Sequence, residues 1–407
     1  MFETLYRSEF AYRRHRGGPF SAERERYLEH CAEGGSTIAT QHVRSVSLLR
    51  LARGMSPDDR DGVDLARLHQ IVYATVSPTP APSTAKTLIF FGRPWLIFLG
   101  WWRVPQKPVP FPEQLDNFIS WMRDERGLSP STITQWGERV ATFLRWCAQK
   151  GLELRTLRPE DVDEYFVTYG AQRWCRVSAG YVATMLRVFF RQAAAAGACS
   201  VKLAEAIRAP RIYGQESLPY ALSWSDVRRL LASTETDAPD DVRDRAALML
   251  MAIYGLRRGE VAALRLDQID WNGRRLLVYR LKRQQAQAYP LLPSVAEALA
   301  RYTDTVRPNV RALEVFIRLH APHQPISAEG LYNRVRRRLC ALNIKAAHFG
   351  PHALRHACAT KLLGEGLTLK EIGDHLGHRS TSATSVYAKV DLAALREVGD
   401  FDLGDLP

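Results

Sequence analysis

The sequence predicts a mainly α-helical chain with one small α+β part toward its C-terminal end. Apolar residues recur at i, i+3, i+4 and i+7 in the middle of the chain, the period of a helix with one buried face, and helical patterns also occur on either side of it. Only RRLLVYRLKRQQAQAYPLL, residues 274–292, reads as two short strands, Leu276–Arg280 and Ala288–Leu291, around a polar turn. Two breaks, VPQKPVPFP at 104–112 and APRIYGQESLPYALS at 209–223, are rich in residues that oppose helix and divide the chain into three parts. These parts are residues 1–103, 112–208 and 220–390, followed by a tail, 391–407.

The first part contains helical patterns in AERERYLEHCAEG and VRSVSLLRLARG and a basic cluster, YRRHRGG, at Tyr12–Gly18. That cluster reads equally well as a solvated charge run and as an arm that contacts a polyanion. In the second part Leu115, Phe118, Ile119 and Met122 form one apolar stripe. Ser129 followed by Pro130 is a helix start, with Ile133, Val140, Phe143, Leu144 and Cys147 inward and Gly151 at the end. RPEDVDEYF gives a short third helix. SAGYVATMLRVFFRQAAAAG gives a fourth, burying Met185, Leu186, Phe189 and Phe190. The third part opens on a buried helix, RDRAALMLMAIYG, that stops at Gly255. After the strands come EGLYNRVRRRLCALNI, carrying Arg334, Arg336, Arg337 and Arg338, and a helical stretch from His352 to His378 broken at Gly364 and Gly366.

A net charge of +13 suggests a polyanionic partner, because each phosphate neutralised by Arg or Lys releases counterions. The six cysteines are scattered without a C-x-x-C pair, which argues against a zinc module or a disulfide framework and fits a reducing compartment. MFETLYRSEF has no signal-peptide core. The greasiest segment, LIFFGRPWLIFLGWW at 88–102, is interrupted by Arg93 and Pro94 and is shorter than the roughly 20 apolar residues that span a bilayer. The expectation is a soluble, cytoplasmic, nucleoid-associated protein with no membrane contact.

Four short pieces of the third part carry chemistry when taken together. GLRRGEVAALRLDQID puts Arg257 just past the end of a helix with Glu260 one turn on. LKRQQA puts Lys282 at the tip of the hairpin. HALRHACATKLL puts His352 and Arg355 at i and i+3, on one helix face. LGHR places His378 after a glycine, and Tyr387 follows nine residues later. Each piece alone has an ordinary structural explanation.

In this order, R…K…H-x-x-R…H…Y with the words G-L-R-x-x-E, L-R-H and L-G-H, the pieces resemble the tyrosine recombinase (phage integrase) family. The similarity covers Ser223–Lys389 and extends to the middle part through GLSPSTITQWGERVATFLRW and FFRQAAAAG, which is similar to the family's helical core-binding, SAM-like domain. The resemblance implies a catalytic domain at 220–390 and a C-shaped clamp of two domains on duplex DNA. It also implies an accessory N-terminal region of the kind a mobile-element integrase adds.

It further implies that Tyr387 attacks a DNA phosphorus, that Arg257 and Arg355 clamp the non-bridging oxygens, and that His352 assists the phenol. His378 then hydrogen-bonds a phosphate oxygen, Lys282 protonates the departing 5′ oxygen, and Glu260 holds Arg257. The 3′-phosphotyrosyl link stores the bond energy, so neither ATP, metal nor other cofactor is implied.

Departures from the family's pattern leave some assignments open. Leu-Lys-Arg stands where Gly-Lys-Gly is frequent, so Arg280 and Arg283 compete for the lysine's role. Arg258, Arg283, Arg334 and Arg337 are the expected DNA contacts; His348 is a further candidate, and His356 and His375 are read as structural. Ser380–Thr384 is read as a mobile connector, and Leu392, Leu395 and Val398 as a helical stripe docking on a neighbouring protomer of a tetramer. Partner recombinases and accessory factors are also implied. The rival readings are a type IB topoisomerase and a catalytically silent DNA-binding relative.

Overall fold

The computed structural model describes residues 1–75, 82–104, 109–211, 222–280, 285–345, 349–378 and 384. Helices α1 (Phe2–Leu5), α2 (Glu9–Arg16), α3 (Ser21–Glu33), α4 (Ile38–Arg53), α5 (Leu65–Thr75) and α6 (Pro82–Phe98) build the N-terminal part. The middle part holds α7 (Pro112–Ser120), α8 (Pro130–Gln149), α9 (Pro159–Glu164), α10 (Arg176–Ala195) and α11 (Lys202–Ala206). The last part holds α12 (Trp224–Ala232), α13 (Pro239–Ile253), α14 (Arg258–Ala262), β1 (Ile269–Asp270), β2 (Arg275–Arg280) and β3 (Gln285–Pro290). It continues with α15 (Pro293–Thr305), α16 (Ala328–Ala341), α17 (Pro351–Gly364) and α18 (Leu369–Leu376). Packing gathers Met1–Arg103 and Leu218–Pro407 into one unit and Val104–Ser217 into another. The class is the predicted one, mainly helical with a single small sheet.

In the middle unit, Ser129 caps α8 by accepting from the Thr132 amide at 3.3 Å, with Pro130 at the first helical position. Val140, Phe143, Leu144 and Cys147 are fully buried against Met185, Leu186, Phe189 and Phe190 of α10 in one continuous core. Two helices run on as π turns, α7 into Trp121–Glu125 and α9 into Tyr165–Gly170.

The greasy segment 88–102 belongs to the N-terminal core. Leu88, Trp95 and Leu96 are buried there, and the Arg93 guanidinium lies 5.1 Å from the centre of the Trp102 ring. Among the described residues no helix is long and apolar enough to cross a membrane. In the basic cluster, Arg13 pairs with Glu9 at 2.6 Å and Arg16 with Glu25 at 2.7 Å. His15 turns inward, with Nδ1 3.1 Å from the Ser45 hydroxyl and its ring stacked on Tyr6. The N-terminal part meets the last part at a glycine turn, where the Gly34 carbonyl accepts from the His323 amide at 3.0 Å.

Burial and the surrounding charges of Arg24, Arg14, His42 and Arg53 hold the His15 imidazole down to about 4. The unfolded chain takes up this proton near 6.5, so the stability given by neutral His15 is present above pH 6.5 and drains away as pH falls toward 4. The wild-type melting temperature is therefore expected to fall more steeply over this window than that of His15→Gln. Thermal unfolding from pH 7 to 4 checks this, and parallel curves would contradict it.

In the last part, α13 runs through the core with Val242, Ala246, Ala247, Leu250 and Met251 buried. The sheet is antiparallel in the order β1-β2-β3, with Leu276 opposite Tyr289 and Arg280 opposite Gln285. Strand β1 was not expected from the sequence, since two residues carry no period. Along β2 exposure alternates strictly, and Leu276, Val278 and Arg280 share the buried face.

An ion-pair cluster ties α16 to α13. Arg338 meets Asp241 at 2.6 Å and Asp244 at 2.7 Å, Arg334 meets Asp240 at 2.8 Å, and the fully buried Arg243 meets Asp240 and Asp244 at 2.5 Å.

Candidate active site

The site forms where α13, α14, α17 and α18 end or begin near one another. Gly255 breaks α13 with φ +59°, a left-handed conformation that glycine adopts without strain. A Cβ there would lie 2.3 Å from the Leu376 side chain, so the glycine also admits the end of α18. Two residues on, Arg257 is the N-cap of α14. Its backbone amide donates to Glu260 Oε2 at 2.8 Å and its Nη1 to Oε1 at 2.9 Å, so the buried carboxylate fixes both the backbone and the side chain of Arg257.

Arg355 comes off α17 and is only 2% exposed. Its Nη1 donates to the Gly255 carbonyl at 2.6 Å and its Nη2 to the Leu376 carbonyl at 2.7 Å, which fixes the plane of the guanidinium. Arg257 Nη2 reaches the next carbonyl, Gly377, at 3.5 Å. Both arginines therefore converge on the Leu376–Gly377 turn, immediately before His378. That turn is the left-handed cap of α18, with Gly377 at φ +66°. A Cβ at 377 would sit 2.7 Å from Arg280 Nε.

His378 is half-buried, and its Nδ1 is 2.7 Å from the hydroxyl of Thr384. Burial, then the charges of Arg355, Arg257, His356 and Arg280, bring its imidazole down to about 4, so it is neutral at physiological pH. Its bond to the threonine fixes the orientation of the ring. His352 is exposed on α17, one turn before Arg355, and its ring centre is 4.3 Å from that of His356.

Arg257, Glu260, Arg355 and His378 are thus brought together, with His352 on the same helix as Arg355. Lys282, Tyr387, Arg283, His348 and the tail residues Leu392, Leu395 and Val398 lie outside the described residues. Arg258 is exposed, pairs with Glu329 at 3.0 Å and lies over the Tyr332 ring; Arg337 is exposed on α16.

Three expectations need correction. Arg334 turns toward Asp240 and Asp244 in the α13–α16 ion-pair cluster, so its guanidinium is spent on an internal contact and not held out for DNA. Arg280 is 1% exposed and does not compete for the role of a solvent-reaching hairpin lysine. Of the stretch read as a mobile connector, Ser380–Ala383 lie outside the described residues, and Thr384 is 2% exposed and bonded to His378. His356, read as structural, stacks its ring edge-on against that of His352 and adds to the charges that lower the proton affinity of His378. Its spacing of i+4 from His352 was the available signal. His375 does sit structurally, with its ring edge-on to Tyr289 and its proton affinity lowered by burial.

Two family models match the chain: "Phage integrase family" over residues 221–393 and "Phage integrase, N-terminal SAM-like domain" over residues 115–197. A putative integrase/recombinase, y4rA, of Sinorhizobium fredii is 37% identical over 295 residues, covering 72% of this chain and 71% of its own. The tyrosine recombinase XerD of Lacticaseibacillus casei is 29% identical over 277 residues, covering 67% of this chain and 92% of its own. Among solved structures, XerH site-specific recombinase bound to a palindromic difH substrate is similar in fold. Its TM-score is 0.56 at 16% identity, covering 88% of this chain and 96% of XerH.

Proposed function

The chain belongs to the phage integrase family, and on that footing we propose that it is a site-specific DNA recombinase working through a covalent 3′-phosphotyrosyl intermediate, without ATP or metal. The observation that carries the reading is the convergence of Arg257, Arg355 and His378 on one turn. Displacement at phosphorus builds negative charge on the non-bridging oxygens, and guanidiniums meet it with paired donors that stay charged at any working pH. Fixed donors of this kind are each worth on the order of 10²–10³ in rate.

In the proposed step the phenol oxygen of Tyr387 attacks the phosphorus and the bond to O5′ breaks. His352 takes up the phenolic proton and Lys282 supplies one to O5′, leaving a 3′-phosphotyrosyl ester and a 5′-hydroxyl. The neutral His378 donates to a phosphate oxygen. Attack by a different 5′-hydroxyl reverses the step and joins new partners.

Duplex DNA is the proposed partner, contacted by the middle part at 112–208 and the last part at 220–390; the substrate-bound XerH structure supports this. Arg258, Arg337 and Arg283 are the proposed phosphate contacts. Two sites would be held by a tetramer of this chain, with the tail 391–407 docking in trans and residues 1–103 acting as an accessory arm.

The test is a nicked duplex carrying the flanks of the protein's own gene, which traps the covalent adduct, followed by joining of two intact sites. An adduct without two-site joining would favour a topoisomerase, and no adduct would favour a silent DNA binder. Thr384→Val is expected to slow adduct formation about fivefold, the worth of one hydrogen bond of ~1 kcal/mol, with DNA affinity unchanged. An unaltered rate would mean that something else orients His378.

A further inference from the structure

We propose that Arg280 is a positioning residue of this active site, setting Arg257 through Glu260 while holding the turn that carries His378. The inference rests on the recombinase reading above and adds to it a residue outside the six assigned to catalysis.

Arg280 occupies the last inward position of β2, where the two preceding inward residues are Leu276 and Val278. An arginine at such a place loses its hydration and persists only if its donors are well met. They are met by groups of the site. Nη1 donates to Glu260 Oε2 at 2.7 Å and Nε to Gln287 at 2.9 Å. Nη2 donates to the Tyr289 hydroxyl and, at 3.0 Å, to the His375 carbonyl in the last turn of α18.

The Glu260 contact matters because the same Oε2 accepts the Arg257 amide, and Oε1 accepts the Arg257 guanidinium. Glu260 is therefore a bridge with Arg280 as its inner abutment. Without Arg280 the carboxylate can rotate, and the rotamer of Arg257 moves with it. The other end of Arg280 lies directly under Gly377, whose carbonyl Arg257 also reaches. One planar side chain with five donors thus spans the sheet, the Arg257 cap and the end of α18, which a lysine ammonium cannot do. It also ends the strand that leads two residues later to Lys282.

The experiment measures adduct formation on nicked DNA by wild type, Arg280→Met and Arg280→Lys, with melting temperature and DNA affinity recorded alongside. Each protein is assayed on a normal scissile phosphate and on a methylphosphonate, which lacks one charged oxygen for Arg257 to neutralise. Arg280→Met is expected to cleave the phosphate about 100-fold more slowly, the cost of an ångström-scale misplacement. Its deficit should shrink to about tenfold or less on the methylphosphonate, where one fixed donor has less charge to stabilise. Arg280→Lys keeps a charge against Glu260 and is expected to melt near wild type yet still cleave the phosphate slowly.

If the methionine variant does not fold, the lysine variant decides. Wild-type rates in a folded variant, or equal deficits on both substrates, overturn the proposal. A wild-type chain that forms no adduct sinks the recombinase reading itself, and this proposal with it.

Discussion

Tyr387→Phe is expected to abolish the covalent DNA adduct while leaving DNA affinity nearly intact. The substitution removes one oxygen and no charge. Deleting a nucleophile from a cooperating set costs at least about 10⁴ in rate, because the remaining groups have nothing to activate. The effect on binding should stay within ~0.5 kcal/mol, the range of changes that disturb no packing. Denaturing gels of protein incubated with nicked DNA give the adduct, and a fluorescence titration gives the affinity. A surviving adduct would mean that another residue attacks, and a large loss of affinity would mean that the phenol serves binding.

The second large effect is expected at Arg355. Arg355→Lys keeps the charge but not the fork that reaches the Gly255 and Leu376 carbonyls together. Loss of one oriented donor at the phosphorus should lower the adduct rate by about 10²–10³. Leaving a buried carbonyl without its donor should also cost about 1–3 kcal/mol of stability. Adduct kinetics and thermal unfolding on the same preparation separate the two. A lower melting temperature with an unchanged rate would remove Arg355 from the chemistry and leave it a structural tie between α17 and the turns at 255 and 376.

Much of the architecture was legible because burial imposes a period. The Ser129–Pro130 start and the inward rows of α8 and α10 follow from spacing alone. Helix α15 was equally readable, with Val295, Ala298, Leu299 and Tyr302 buried at i, i+3, i+4 and i+7, yet its pattern lies behind the hairpin and drew no assignment. The π turns after α7 and α9 leave no mark in residue type.

In the site, Arg257, Glu260, Arg355 and His378 were found through motif order, which reports chemistry shared across a family. Arg280 was set beside Lys282 as a rival for its role, for the opposite reason. Its alternation with Leu276 and Val278 pointed inward, but a charged side chain beside a polar turn reads as surface. Arg334 was misread in the same way, since its acids, Asp240 and Asp244, lie far back in the sequence, on α13. Partners distant along the chain become visible only once the helices are packed.

The α18 cap explains why a three-letter word, L-G-H, can be so restrictive. Residue 377 is doubly constrained, by the handedness of its backbone and by a guanidinium at van der Waals range beneath it. Alanine there would meet both penalties at once, whereas in a chain whose residue 280 were small the handedness would remain together with a milder contact, the Gln287 Oε1 at 3.2 Å from the added Cβ. Tolerance at one position is thereby written by the size of a side chain on another strand, and a map of allowed substitutions at 377 would change shape when 280 is shortened.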